Sequence, residues 1–124
     1  MAGFIKVDIE EVQTHALNTP INKDILNKFK VKCKQKRLPL NVVIEVFMNQ
    51  YVNRKYKLKE TDIIKWGEDR GETERFNSTF NKEIYTKFKD VVKNDGHYVK
   101  HVVSAFIEDY INNDLEIGFF KEGD

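Results

Sequence analysis

An internal repeat constrains the fold of this chain more than any other sequence feature. Shifting the sequence by 59 residues aligns residues 14–53 with residues 73–112 without a gap. The identical pairs include Asn18/Asn77, Asn22/Asn81, Ile25/Ile84, Phe29/Phe88, Phe47/Phe106 and Tyr51/Tyr110. A composition bias toward Lys and Asn creates some identities, but it does not align the apolar positions so consistently. The repeat therefore predicts two structurally equivalent units.

Each repeat is predicted to contain one short strand followed by two helices. Alternation of apolar and polar residues predicts a strand, and apolar residues three and four positions apart predict a helix. Asn22 and Asn81 precede the first helix of each repeat, where an Asn side chain caps free backbone amides. The predicted elements are strands Ala16–Ile21 and Arg75–Phe80, first helices at about Lys23–Lys36 and Lys82–Asp95, and second helices at about Leu40–Asn53 and Val99–Asn112.

The turns and the helix surfaces add two expectations. Gly96 is predicted to end the second-repeat helix in a left-handed conformation, and Arg37, followed by Pro39, takes that place in the first repeat. The β-branched residues of the helix Leu40–Asn53 make it apolar on nearly all sides, so that it is expected to be buried between other helices.

The repeats divide the chain into five segments. Residues 14–53 and 73–113 are the repeats, residues 54–72 are a linker, and residues 1–13 and 114–124 are terminal extensions. A helical turn is expected in the linker from Thr61, with Ile63, Ile64 and Trp66 covering one end of the core. The second extension is acidic and carries Phe119 and Phe120, which are expected to pack on the domain or to dock a partner.

One unit of about 40 residues is too small to bury its apolar surface alone, and a lone strand leaves its backbone groups unpaired. Two units solve both problems if their strands pair. The expected fold is therefore mainly α, with one short two-stranded antiparallel β-ribbon above four helices. The hydrophobic content of 40% and the single cysteine, Cys33, fit a globular domain without disulfides.

The strand–helix–helix repeat resembles the ribbon-helix-helix family of DNA-binding proteins, the Arc, MetJ and CopG type. The resemblance rests on "ALNTPI" and "VFMNQYV" in the first repeat, and on "RFNSTF", the turn at Gly96 and "FIEDYI" in the second. It covers about two thirds of the chain. Two units in one chain are similar to the tandem arrangement of conjugation accessory proteins such as TraY, which implies a single-chain pseudo-dimer.

The resemblance implies that outward-facing ribbon residues contact DNA bases in the major groove. Asn and Arg side chains match the hydrogen-bonding edges of adenine and guanine, and Thr contacts bases or the thymine methyl group. Ala16 and Pro20 depart from the usual polar pattern, so the first strand either reads methyl groups or reads its half-site loosely. The expected base-contacting residues are Ala16, Asn18, Arg75, Asn77 and Thr79.

The family also implies phosphate contacts at the start of each second helix, where backbone amides attract anions. The matching positions are 38–41 and 97–100, with Pro39 and Tyr98 standing where family members often carry Ser or Thr. The expected phosphate-binding residues are Lys36, Arg37, Asn41 and Lys100.

The function expected from this resemblance is sequence-specific binding of double-stranded DNA, most simply as a transcriptional repressor, with pseudo-dimers associating on adjacent sites. Two alternatives stay open. The chain is a plasmid partition or conjugation accessory protein that recruits a protein partner through its terminal extensions, or an antitoxin-like interaction module that no longer uses the ribbon. The net charge of +1 does not separate them, although residues 14–53 hold seven basic and two acidic residues.

Other function classes have little support in the sequence. His97 and His101 have the spacing of a metal pair but lack a nearby third ligand such as Cys. We expect no enzymatic activity, cofactor or metal, because no phosphate-binding glycine loop or catalytic constellation is present. No apolar run is long enough to span a membrane. A cytoplasmic location and a bacterial, plasmid or phage origin are expected.

Overall fold

The computed structural model describes residues 13–113 and residue 115. The expected roles of the terminal extensions and of Phe119 and Phe120 fall on residues 1–12, 114 and 116–124, outside this description. Within the described part, the elements are β1 (Thr14–Asn22), α1 (Lys23–Gln35), α2 (Leu40–Val52), α3 (Glu60–Glu68), β2 (Thr73–Asn81), α4 (Lys82–Asn94) and α5 (Val99–Asn113). The chain is thus mainly helical with one small sheet, as predicted, and both strands are longer than predicted.

The sheet is a two-stranded antiparallel ribbon made from one strand of each repeat. Asn18 of β1 lies opposite Asn77 of β2, so the identical residues of the repeat meet at the centre of the ribbon. The amide of Lys23 donates to the carbonyl of Glu72 (2.8 Å), and the amide of Lys82 donates to that of Gln13 (2.9 Å). These matching bonds close both ends of the ribbon.

Equivalent caps begin the helices that follow the two strands. The Oδ1 atoms of Asn22 and Asn81 accept hydrogen bonds from the amides of Ile25 and Ile84, each at 3.0 Å. An Asn side chain there satisfies one of the free amides of the first turn. The strand-to-helix junction is therefore built in the same way in both repeats, as predicted.

Equivalent turns end these two helices. Gly96 has φ +83° and Arg37 has φ 59°, both in the left-handed region. The amide that follows each of them reaches back to a carbonyl of the last helical turn, from Leu38 to Cys33 at 2.9 Å and from His97 to Val92 at 3.0 Å. The hydrogen bonds are the same in both turns, although a left-handed φ is more costly for Arg37 than for glycine.

The helices of the two repeats interlock beneath the ribbon. α1 packs on α5, and α2 packs on α4, so each first helix lies against the second helix of the other repeat. The equivalent rings of Phe47 and Phe106 stack on each other with centroids 4.1 Å apart. Both are almost fully buried, and the repeats therefore share one core.

The linker contains a complete helix, α3, which packs against α5. Ile63 and Trp66 are buried, as predicted, but Ile64 is 49% exposed. The prediction for Ile64 was wrong because residues 63 and 64 differ by about 100° around a helix, so that a single packed face buries only one of them.

α2 also differs from its prediction. It was expected to be buried on nearly all sides, yet Val42 is 41% exposed. Its inner residues Val43, Phe47 and Met48 are buried, so one face packs in the core while a second apolar position faces outward.

Candidate nucleic-acid interface

The outer face of the ribbon carries the residues predicted to contact bases. Ala16, Asn18, Arg75, Asn77 and Thr79 are all exposed, whereas Pro20 is half-buried. The alternate residues point inward, and Leu17, Thr19, Ile21, Phe76 and Phe80 are buried. Because side chains alternate between the faces of a strand, burying this inner set fixes which side chains the ribbon presents outward. The structure thus brings the five predicted base-contacting residues together on one surface.

A side-chain hydrogen bond crosses the centre of this surface. Arg75 Nη1 donates to Asn18 Oδ1 at 3.1 Å, joining the two strands. A guanidinium has five N–H donors in a fixed plane, so this bond leaves donors of Arg75 for another partner. This bond uses the Asn18 carbonyl oxygen and not its amide N–H donors. The hydrogen bond holds the guanidinium of Arg75 beside the amide of Asn18.

Arg70, in the linker before β2, braces one end of the ribbon. Its Nη1 donates to the carbonyl of Pro20 at 3.3 Å, and its own carbonyl accepts from Asn22 Nδ2 at 2.8 Å. The next residue, Gly71, has a left-handed φ of +61°, which turns the chain into the strand. Nothing in the sequence marks Arg70 as a binding residue, because it is a single arginine in an aperiodic linker.

Two lysines flank the ribbon at its ends and were also not selected. Lys23 and Lys82 are the exposed first residues of α1 and α4. The repeat contained a signal for them, because they are identical at equivalent positions directly after the strands. They place positive charge at both ends of the ribbon.

Acidic groups near the ribbon are partly neutralised by lysines. Lys30 Nζ lies 3.1 Å from Glu74 Oε2, and Lys23 Nζ lies 3.9 Å from Glu72 Oε2. Glu74 faces the helices, because it alternates with the outward Arg75. The outer face itself therefore contains one cation, Arg75, and no acidic residue among its five predicted members.

The predicted phosphate-binding residues of the first repeat lie in different surroundings. Asn41 is exposed in the first turn of α2, whose N-cap, Pro39, makes no side-chain capping bond. Arg37 is exposed in the turn before it. Lys36 instead reaches toward the C-terminal end of α5, where its Nζ donates to the carbonyl of Leu115 at 3.2 Å and lies 5.5 Å from the ring centre of Tyr110. Lys36 is thus not brought together with Asn41.

Lys100, the phosphate candidate of the second repeat, is half-buried in the first turn of α5, with its Nζ 6.0 Å from the ring centre of Tyr98. The neighbouring His101 packs beside Gly67 of α3. Burial lowers the pKa of His101, and the nearby charges of Lys100 and Arg70 lower it further. This helix start is therefore more crowded than the start of α2.

The His97 and His101 pair does not form a metal site with other described side chains. His97 Nε2 lies 2.9 Å from Glu60 Oε1 on α3. Across residues 13–113 and 115, no group of three His, Cys, Asp or Glu side chains is arranged to hold a metal ion.

Comparisons of the chain with protein-family models, with curated proteins and with solved structures found no match. In the part of the chain that the structure describes, none of the helices is both long and apolar enough to cross a membrane.

Proposed function

We propose that this chain is a ribbon-helix-helix protein in which the two repeats form an intramolecular pseudo-dimer. We further propose that it binds double-stranded DNA sequence-specifically by inserting the ribbon into the major groove. The observation that supports this most directly is the pairing of β1 with β2, which places Asn18 opposite Asn77 on an exposed polar face.

The dimensions and chemistry of the ribbon suit the major groove. The groove is about 12 Å wide and admits a two-stranded ribbon. Within it, an Asn amide pairs with adenine, an Arg guanidinium pairs with guanine, and Thr contacts either bases or the thymine methyl group. Asn18, Asn77, Arg75 and Thr79 supply these groups from one exposed surface.

The arrangement of the helices supports the pseudo-dimer. Each first helix packs on the second helix of the other repeat, and the equivalent rings of Phe47 and Phe106 meet in the core. Such interlocking makes the ribbon dependent on both repeats, and we expect it to hold the ribbon in place. Rigid placement favours base recognition, since little conformational entropy is lost on binding.

The simplest role for such a protein is occupation of an operator as a transcriptional repressor. One ribbon covers only a short DNA site, and affinity would rise if a second copy of the chain bound alongside. Lys23 and Lys82, at the two ends of the ribbon, are positioned to add phosphate attraction that does not depend on sequence.

The test is selection from a pool of randomised DNA duplexes at two salt concentrations. The wild type should enrich a defined sequence, and the double variant Asn18→Ala/Asn77→Ala should lose most of this enrichment. A matched control is Asn53→Ala/Asn112→Ala, which removes another pair of exposed, equivalent asparagines at the C-terminal ends of α2 and α5. It should enrich the same sequence as the wild type.

Enrichment that survives in the ribbon variant would refute base reading by the ribbon. Affinity that falls steeply with salt, without any preferred sequence, would indicate binding to the phosphate backbone alone. Absence of DNA binding by the wild type would favour the interaction-module alternative.

A further inference from the structure

The packing of α3 on α5 has no described counterpart on α2. α3 meets α5 along one side: Glu60 Oε1 lies 2.9 Å from His97 Nε2, and Trp66 Nε1 donates to Glu108 Oε1 at 3.3 Å. Gly67 approaches so closely that a Cβ there would lie 3.0 Å from Cε1 of His101. His97 lies just before α5, so within α5 the side that α3 covers runs from His101 to Glu108, about two helical turns.

The equivalent side of α2 is open among the described residues. Subtracting 59 from His97, His101, Ala105 and Glu108 gives Leu38, Val42, Val46 and Asn49, which we call the α2 face. Val42 is 41% exposed, Asn49 is exposed, and Val46 is half-buried. Its counterpart Ala105, by contrast, is 1% exposed. The α2 face is thus an apolar surface whose equivalent in the second repeat is covered.

The sequence before β1 has apolar residues at the positions where α3 packs, although only two of the nine aligned residues are identical. Continuing the shift of 59 residues toward the N-terminus aligns residues 1–9 with residues 60–68, the whole of α3. Phe4 and Val7 then align with Ile63 and Trp66, the two buried residues of α3, and Lys6 aligns with Lys65. The apolar positions that α3 uses for packing are therefore also apolar in the N-terminal segment.

The chain enters the two strands at equivalent points. The carbonyls of Gln13 and Glu72, one residue before β1 and β2, accept the matching hydrogen bonds from Lys82 and Lys23. In sequence, residues 1–9 precede β1 by the same number of residues as α3 precedes β2.

We propose that residues 1–9 bind the α2 face, with Phe4 and Val7 contacting Val42 and its neighbours, as α3 binds α5. The C-terminal residues 116–124 are a less suitable occupant, because they hold three acidic residues and one lysine. α2 offers them no basic side chain and carries the acidic Glu45. This proposal rests on the repeat symmetry and is independent of DNA binding.

The first experiment is disulfide trapping in the full chain. Val7→Cys and Asn49→Cys occupy the positions equivalent to Trp66 and Glu108, which are in contact. Cys33 can remain, because it is buried and its pKa is raised to about 11, which suppresses its reactive thiolate. Mild oxidation should give a disulfide within one chain, detected as a reducible mobility shift of the monomer and by mass spectrometry of the linked peptides.

Two control pairs identify the occupant. Val7→Cys with Glu108→Cys should not cross-link, because α3 already occupies that part of α5. Phe119→Cys with Asn49→Cys tests the C-terminal residues. No cross-link in the first pair, a cross-link only between chains, or preferential trapping of Phe119→Cys would each overturn the proposal.

The second experiment is a double-mutant cycle on thermal unfolding with Phe4→Ala and Val42→Ala. Each single substitution should lower the melting temperature by about 3–6 °C, and the double variant should lose clearly less than the sum, because each change removes the same contact. A control cycle pairs Phe4→Ala with Ile64→Ala, an exposed position on α3, and its effects should add. Additive effects in both cycles, or no effect of Phe4→Ala, would contradict the proposal.

Discussion

The two strands of the ribbon have equivalent backbones but present different chemistry. β1 and β2 pair in perfect register about Asn18 and Asn77, yet β1 offers Ala16 where β2 offers Arg75. The buried inward residues of both strands are apolar or small, because they share one core. The buried inner positions are thus similar in the two strands, while the exposed positions present different side chains.

The helices show a second difference between the repeats. Arg54, after α2, makes two hydrogen bonds to Asp95, after α4, at 3.0 and 3.1 Å. The equivalent positions are Asn113 and Lys36, which cannot form an ion pair. Four predictions test whether equivalent positions of the two repeats contribute equally to stability and to the proposed DNA binding.

The largest effect is expected at the point where the repeats meet. Phe47→Ala and Phe106→Ala should each lower the free energy of unfolding by about 3–5 kcal/mol, because each leaves a cavity and removes the same ring stacking. Urea denaturation should measure both. Costs that differ by more than about 2 kcal/mol would contradict the equal placement of the two rings in one shared core.

The next effect concerns the unequal ribbon strands and rests on the proposed DNA binding. Arg75→Ala should cost about 1–3 kcal/mol of discrimination at the base pairs beneath it. The sequence preference should be lost in only one half of the selected DNA site. The reason is that Ala16, the residue equivalent to Arg75 in the first repeat, has no side-chain hydrogen-bond donor. Lys93→Ala, an exposed change in the last turn of α4, is the control for charge alone. Equal losses in both half-sites would contradict the asymmetry.

A smaller effect is expected at the Arg54–Asp95 contact, which lies at one end of the bundle. Asp95→Asn should destabilise the protein by about 1 kcal/mol at pH 7, in the range of a single partly exposed hydrogen-bonded pair. The hydrogen bonds from Arg54, followed by that from Tyr51, lower the pKa of Asp95. The carboxylate therefore stabilises the fold above its ordinary pKa of 3.8, and this contribution is lost as pH falls through the lower folded-state pKa.

Chemical denaturation of the wild type and of Asp95→Asn between pH 7 and pH 2 should show this convergence. Glu83→Gln, in an exposed pair with Lys87, is the control and should change stability little. A difference between wild type and Asp95→Asn that is independent of pH would refute the electrostatic origin.

The smallest effect is expected at His101, which α3 covers although its equivalent, Val42, is exposed. The lowered pKa of His101 means that the folded state favours the neutral ring. Its stabilising contribution is complete above the ordinary pKa of 6.5 and falls as pH decreases below that value. His101→Val should therefore flatten the shallow loss of stability between pH 7 and pH 5. The control His15→Gln should keep the same decrease in stability between pH 7 and pH 5 as the wild type. A decrease of the same size in His101→Val would contradict the prediction.

Much of the fold could be predicted from the sequence, because its determinants are local and occur twice. Alternation identified the strands, Asn22 and Asn81 identified the helix starts, and Gly96 identified a turn. The repeat also predicted that the two strands pair, and in the structure Asn18 lies opposite Asn77. Alternation also predicted which ribbon side chains face outward, and the resemblance to the ribbon-helix-helix family implied that five of them contact bases. The structure places all five on the exposed face.

Other features depended on contacts that the sequence pattern does not encode. The pattern did not show that Arg70 braces Pro20, that Lys36 reaches Leu115, or that Ile64 faces outward. Each of these features depends on which elements meet in the folded chain. Periodicity predicts the apolar face of a helix but not the element that packs against it.

The sequence by itself determined the two equivalent units, their strands and caps, and the side chains that alternation sends outward. These properties arise from neighbouring residues, whose geometry is fixed by backbone hydrogen bonds and side-chain period. Only the tertiary structure decided that α1 packs on α5, that α3 covers α5 and that Val42 is left exposed. The physical reason is that these contacts join elements that are far apart in the sequence, so neither helix period nor capping identifies the partner; α3 is placed by the burial of Ile63 and Trp66 in the assembled core.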